Sequence, residues 1–147
     1  MAFFVLRRLD ALRGSELIVH AGDVGDVEVL NHLRAIAPTV AVRGNVDTGL
    51  WARALSPTEV VDVEDLLLYV LHDVTTLDLD AKAAGFSAVI SGHTHRASAQ
   101  MRDGVLYLNP GSAGPRRFTL PISLARLQVD GSHLSYEVVE LPVPAAG

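Results

Sequence analysis

The stretch Ser91-Gly92-His93-Thr94-His95, preceded by the apolar run from Phe86 to Ile90, decides how this chain is read. A short β-like run that ends in two imidazoles one residue apart sets metal-competent side chains at a strand's carboxyl end. Alternate residues of an extended segment point the same way, so His93 and His95 are expected to converge on one ion. Imidazole is neutral near pH 7 and is the commonest metal-binding side chain. A capping or core role would suit an isolated pair equally well, so the weight falls on the rest of the chain.

Working outward, the same design recurs. Leu17-Ile18-Val19 reads as a strand buried on both faces and ends in His20-Ala21-Gly22-Asp23. Thr39 to Val42 is β-branched and apolar and runs into Arg43-Gly44-Asn45-Val46-Asp47, at the end of a strand where open α/β sheets bind ligands. Glu59 to Val63 and Leu66 to Leu71 pair around Glu64-Asp65, and the second of them delivers His72-Asp73. Between these runs, Val5 to Arg13 has helical spacing stopped by Gly14, and Asp26 caps a helix through Val29, Leu30, Leu33 and Ile36 that Pro38 closes. A short helix around Trp51 and a brief one ending at Gly85 complete the helical set. The last third is antiparallel. Ala99 to Met101 and Val105 to Leu108 flank Arg102-Asp103-Gly104, and Ile122 to Val129 and Leu134 to Val139 flank Asp130-Gly131. The turn Asn109-Pro110-Gly111-Ser112 lies between the hairpins, with backbone amides that could face an anion. The tail after Leu141 is rich in Pro and Ala and is expected to fray.

Composition narrows the chemistry. At 147 residues the chain is expected to form one domain, residues 1–147, with a core large enough to need no staples. Apolar residues make up 49% and charged residues 20%, below the usual ~25%, which argues against disorder. The net charge of -5 disfavours a nucleic-acid partner, which would need a basic stripe. The chain has no Cys, so any metal must be held by nitrogen and oxygen. No apolar run approaches the ~20 residues of a membrane span, and the start is not a secretory signal, so the expected location is cytoplasmic.

Gly22-Asp23, Gly44-Asn45, His72 and Gly92-His93-Thr94-His95 thus supply a carboxylate, an amide oxygen and three imidazoles from separate strand ends. In this order the motifs resemble those of the calcineurin-like metallophosphoesterases, specifically their small bacterial and archaeal phosphodiesterase branch, and the resemblance covers nearly the whole chain. It implies an α/β fold, a two-sheet β-sandwich flanked by helices in four layers. It also implies a two-metal site in which Asp23 bridges both ions, Asn45, His72 and His93 complete one shell, and His95 binds the other ion. Manganese is the first expectation, with iron, zinc or nickel as alternatives. The implied reaction is hydrolysis of a small phosphoester, a phosphodiester foremost, with metal-bound hydroxide as nucleophile. Asn45 and Arg116, which follows Pro115 after the Asn-Pro-Gly-Ser turn, would address the phosphate.

Two departures from the family pattern stand out. The family generally opens with Asp-x-His on its first strand, and this sequence contains neither Asp-x-His nor Glu-x-His. That strand is therefore read as missing, which depletes the ion site of His95 and leaves an edge beside Leu17 to Val19 for a second copy, or Phe3-Phe4-Val5, to cover. Impaired activity and a homo-oligomer are expected. Larger relatives carry a His after the Asn of Gly-Asn, whereas this chain has Val46, so no catalytic acid or base is assigned.

The competing readings are specific. A noncatalytic interaction scaffold is the alternative function, because the family includes a retromer subunit that uses the fold as a protein-binding surface. A metallo-β-lactamase-like site fails because Arg96-Ala97 follows His95 where Asp-His would be needed. His20 is expected to hold a hydrogen-bonded structural place, and His32 and His133 to lie at the surface or in packing. Asp73, Asp78 and Asp80 are read as solvating a loop or tuning access, and Trp51 as either a core plug or a lid.

Overall fold

The computed structural model describes residues 12–112 and 122–141. The Phe3-Phe4-Val5 segment, most of the Val5 to Arg13 helix, Pro115-Arg116 and the tail after Leu141 lie outside the described residues. β1 (Ile18–His20) leads through a loop to α1 (Val27–Arg34) and returns to β2 (Thr39–Ala41), parallel to β1. A 3-10 turn (Trp51–Ala54) precedes β3 (Thr58–Val63) and β4 (Leu66–Leu71). β5 (Ala88–Ile90), β6 (Ser98–Arg102), β7 (Val105–Asn109), β8 (Ile122–Asp130) and β9 (His133–Leu141) follow.

Five of these strands form one mixed sheet in the order β3-β4-β5-β7-β6, while β1-β2 and β8-β9 form separate pairs. β5 lies between β4 and β7 and is parallel to both, whereas β3 and β6 close the sheet as antiparallel outer strands. Val42, Leu68, Val70, Ile90, Leu106 and Leu108 form the main core on one face of that sheet. Leu17, Val19 and Val40 from the first pair, and Leu127, Leu134 and Val138 from the last hairpin, cover them. The expected sandwich is thus present, its second layer divided into two hydrogen-bonded pairs among the described residues. The sheet's other face buries Tyr69, Leu71, Val89 and Val105 under Leu77, Leu79, Ala81 and Phe86.

Helix α1 forms the outer layer over β1-β2. Asp26 caps it, its Oδ1 accepting the Glu28 amide at 2.9 Å. Leu30 packs with Val24, Ala41 and Leu55, and Leu33 with Ile18 and Ala37. Each fully buried leucine contributes about 1.5–3 kcal/mol, which fixes the helix on the sheet. The helix stops before Ile36, because Pro38 holds Ala37 out of helical geometry and the Leu33 carbonyl takes the amides of both Ile36 and Ala37. Residues 81–85, expected as a helix, instead form one hydrogen-bonded turn. Asp80 caps it, receiving the Ala83 and Ala84 amides on its side chain and carbonyl, and left-handed Gly85 ends it. Both expected hairpins occur, turning at Asp103-Gly104 and at Gly131-Ser132. No helix among the described residues is long and apolar enough to cross a membrane.

Candidate metal centre at the strand ends

β1, β2, β4 and β5 all end toward one region, and the loops that leave them interlock there. The carbonyl of His72, just past β4, accepts the Gly92 amide at 2.9 Å. The Ala21 carbonyl, just past β1, receives Nδ1 of His72 at 2.7 Å. Gly22 is required at this contact, since a Cβ there would lie 2.6 Å from that same nitrogen and its φ is +96°. Gly44 is pressed against the backbone amide and Oδ1 of Asp23, so no side chain fits at that position either. Gly22 and Gly44 are therefore close-approach residues at the site.

A carbonyl only accepts, so Nδ1 of His72 carries the proton in that 2.7 Å bond. The other ring nitrogen of His72, Nε2, faces Asp23 Oδ2 at 3.2 Å and His93 Nδ1 at 3.3 Å. Two ligands bound to one ion at ~2.1 Å lie about 3.0 Å apart at a right angle and about 3.4 Å apart at the tetrahedral angle. The observed separations fall in that interval. A carbonyl that fixes the tautomer of a histidine is also the usual outer support of a metal ligand. His72 is 7% exposed, Asp23 is half-buried and His93 is exposed.

Asp23 is held at its other oxygen, Oδ1 accepting the Val46 amide at 3.0 Å. Asn45 lies between that amide and Gly44, with its side chain exposed. Two imidazoles, a carboxylate and an adjacent amide oxygen are a donor mixture that first-row divalent ions accept, and in this respect the residues fit a metal. Among the described residues, no group of three or more His, Asp or Glu side chains closes into a cage, and the donors meet in the pairs given above.

The strand argument for His93 and His95 does not hold. β5 ends at Ile90, and the two histidines have φ of +69° and +60°, so they are not alternate residues of an extended segment. A tight turn from Thr94 N to Gly92 O at 2.8 Å bends the chain, and Asn109 clamps it, donating from Nδ2 to the Gly92 carbonyl at 2.8 Å and to Thr94 Oγ1 at 3.0 Å. The bend delivers His93 to His72 with their rings edge to face, while His95 sits half-buried further along the same loop. Asp23 is left-handed too, at φ +56°. Among the described residues the other two non-glycine residues with positive φ, Glu64 and Asp103, occupy hairpin turns, so three of the five left-handed positions fall on candidate ligands.

Two residues of this framework carry no sequence signal of their role. Asp47 is 5% exposed and receives the Gly25 amide on Oδ1 and the Gly44 amide on Oδ2, both at 2.8 Å, tying the loop of Asp23 to the loop of Asn45. Burial pushes its pKa up, but the amides of Gly25, Gly44 and Val24 outweigh that and hold it below the ordinary carboxylate range. Asn109, read as part of an anion-facing turn, also receives the Gly111 amide on its own Oδ1 at 2.9 Å, so that amide is not available to a ligand. His20 differs from expectation, since its buried Nδ1 has no hydrogen-bond partner among the described residues. Burial lowers its pKa, against the opposing pull of the Asp47 and Asp23 carboxylates.

His32 and His133 are exposed, as expected. Trp51 packs with the Leu30 cluster, which favours the core plug. Asp73 caps a 3-10 turn through Thr75, and its Oδ2 is 3.9 Å from His93 Nε2, beside a cleft of about 350 Å³ that opens from His72 and Asn45. Hydrogen bonds from Thr75, then the neighbouring imidazoles, hold the Asp73 carboxyl below its ordinary range.

Comparison with known proteins agrees with this architecture. The chain is 31% identical over 142 residues to a probable metallophosphoesterase of Methanothermobacter thermautotrophicus, covering 92% of this chain and 81% of that one. An archaeal phosphodiesterase superposes with a TM-score of 0.74 at 20% identity, over 94% of this chain and 93% of the other. Vps29 of Entamoeba histolytica, solved with zinc, superposes with a TM-score of 0.71 at 22% identity, over 92% and 87% of the two chains, and at such identities the likeness is one of fold. Residues 3–132 match the calcineurin-like phosphoesterase superfamily domain, and with that match the chain belongs to this superfamily.

Proposed function

We propose that the chain is a metal-dependent phosphodiesterase acting on a small phosphoester. The observation that carries this reading is that His72 Nε2 lies 3.2 Å from Asp23 Oδ2 and 3.3 Å from His93 Nδ1, each on a separate loop, with the His72 tautomer set by Ala21. Asp23, Asn45, His72 and His93 would hold a divalent cation, manganese first and iron, zinc or nickel otherwise, with His95 toward a second ion. Such a cation supplies the Lewis acidity that activates water and neutralises charge on the phosphoryl oxygens. The chain's own part is to orient. The Val46 amide fixes one carboxylate oxygen so that the other faces His72, and the exposed Asn45 amide is assigned to a phosphate oxygen by its motif position. Arg116, outside the described residues, is assigned to the phosphate by its motif position. The apolar Val46 offers no proton, so the leaving alcohol takes its proton from water or another group.

The test is turnover of bis-p-nitrophenyl phosphate by the purified chain with manganese, with chelator, and as His93→Ala. Weak turnover that chelation and the substitution both abolish supports the reading, and turnover indifferent to both removes it. A noncatalytic interaction scaffold is the second reading, favoured by the donors meeting only in pairs among the described residues. Metal binding without turnover selects it. Self-association belongs to either reading, since β1 pairs only with β2 among the described residues. Light scattering at micromolar concentration reads it directly.

A further inference from the structure

We propose, resting on the phosphoesterase reading, that the cleft opening from His72 and Asn45 holds the alcohol portion of the substrate and selects a small, positively charged one. The cleft is about 350 Å³, near the lower limit for small-molecule sites, which suits a head group of a few atoms and not a nucleoside or a polymer. Its charge is lopsided. Arg43, the sole lysine or arginine on its wall, belongs to the Asn45 loop, where a phosphate would sit, whereas the segment after β4 contributes the two carboxylates of Asp73 and Asp78. Tyr69 lines the same wall, and although it is only 8% exposed, its hydroxyl has no hydrogen-bond partner among the described residues. A phenol hydroxyl at a cleft wall offers a hydrogen bond to a ligand. A second anionic group in the alcohol would meet two carboxylates, so nucleotide-like polyanions are disfavoured.

The probes are phosphocholine and its uncharged isostere 3,3-dimethylbutyl phosphate, whose binding to the manganese-loaded chain is measured by calorimetric titration. The cationic ligand is expected to bind about three- to tenfold tighter, the gain available from partly exposed charge pairs, with the preference shrinking as salt rises. Asp78→Asn should bring the ratio toward one, and Asp78→Lys should bring it below one. Equal or weaker binding of the cation, failure of both ligands to bind, or a preference unmoved by either substitution overturns the proposal. Turnover of bis-p-nitrophenyl phosphate in the same preparation reads the parent assignment separately. Turnover without the preference leaves a phosphodiesterase with an unselective cleft, and the preference without turnover leaves the cleft assignment standing without that chemistry.

Discussion

Nε2 of His72 stands 3.2 Å from Oδ2 of Asp23 while Nδ1 of the same ring is committed to the Ala21 carbonyl at 2.7 Å. A neutral imidazole so arranged confronts a carboxylate with lone pair against lone pair, and either a proton or a metal ion must lie between them. With the ion, removal of His72 or His93 leaves Asp23 without its partners. The double variant His72→Ala with His93→Ala is therefore expected to lose manganese affinity by about a hundredfold or more, beyond the range seen for outer-shell changes. Metal analysis after equilibrium dialysis checks this, and equal metal content in variant and parent would sink the assignment.

Asp47 offers a separate handle, because it touches none of the donors and still sets their spacing. Its two oxygens satisfy the amides of Gly25 and Gly44, one on each ligand-bearing loop. Asp47→Ala strands two amides at a cost of about 1–3 kcal/mol each, and a total near 3 kcal/mol lowers the melting temperature by about 6–12 °C in a domain of this size. Thermal melts of the metal-free proteins provide the number. A variant that melts with the parent would show the two loops to be held by other means.

The sequence reading found the strands because their signals are local: β-branched apolar runs, Asp-Gly turns and an Asp cap. It grouped Asp23, His72 and His93 as ligand candidates because their motifs follow strand runs in the order of a known family, and their ligation of a metal belongs to the proposed function. It did not find Asp47 or Asn109, whose roles depend on amides and carbonyls up to 22 residues away in sequence, and a polar residue in a loop carries no mark of such a partner. It misjudged the geometry of His93 and His95 for a related reason. Their left-handed backbone follows from a turn that Asn109 clamps from the end of another strand.

Acid should weaken the fold through His20. Its folded pKa lies below the ordinary 6.5, chiefly because burial penalises the charged ring. The unfolded chain then binds the proton more readily, so the stability is complete above about pH 6.5 and is lost as pH falls toward the folded pKa. Asp47, also depressed, loses its contribution only at lower pH, below the ordinary carboxylate value of 3.8. His20→Gln is expected to flatten the decline in melting temperature between about pH 6.5 and 5 while leaving the decline near pH 4 in place. Chelated samples keep metal release out of the measurement, and an unchanged slope above pH 5 in the variant would count against the assignment to His20.

Gly44→Ala separates the site from the fold most sharply. At Gly44 a new methyl group meets the backbone amide and Oδ1 of Asp23, and backbone cannot swing aside as a side chain can. Gly85 provides the contrast, with φ of +86° and nothing within 4 Å of an added Cβ, so Gly85→Ala carries only the backbone cost of about 1 kcal/mol. Gly44→Ala must move the Asp23 loop relative to the Asn45 loop. That movement breaks the Asp47 clamp and carries Asp23 away from His72. The expected result is a folded protein with about tenfold or greater loss of manganese affinity for Gly44→Ala, in the range that follows displacement of a ligand's support. Gly85→Ala is expected to keep full affinity despite its lower melting temperature. Calorimetric titration of both variants with manganese, beside their melts, decides it. Equal metal affinity in the two would mean that the contact between Gly44 and Asp23 does not position the carboxylate, and the pairing of Asp23 with His72 would then have to be maintained from the β1 side alone.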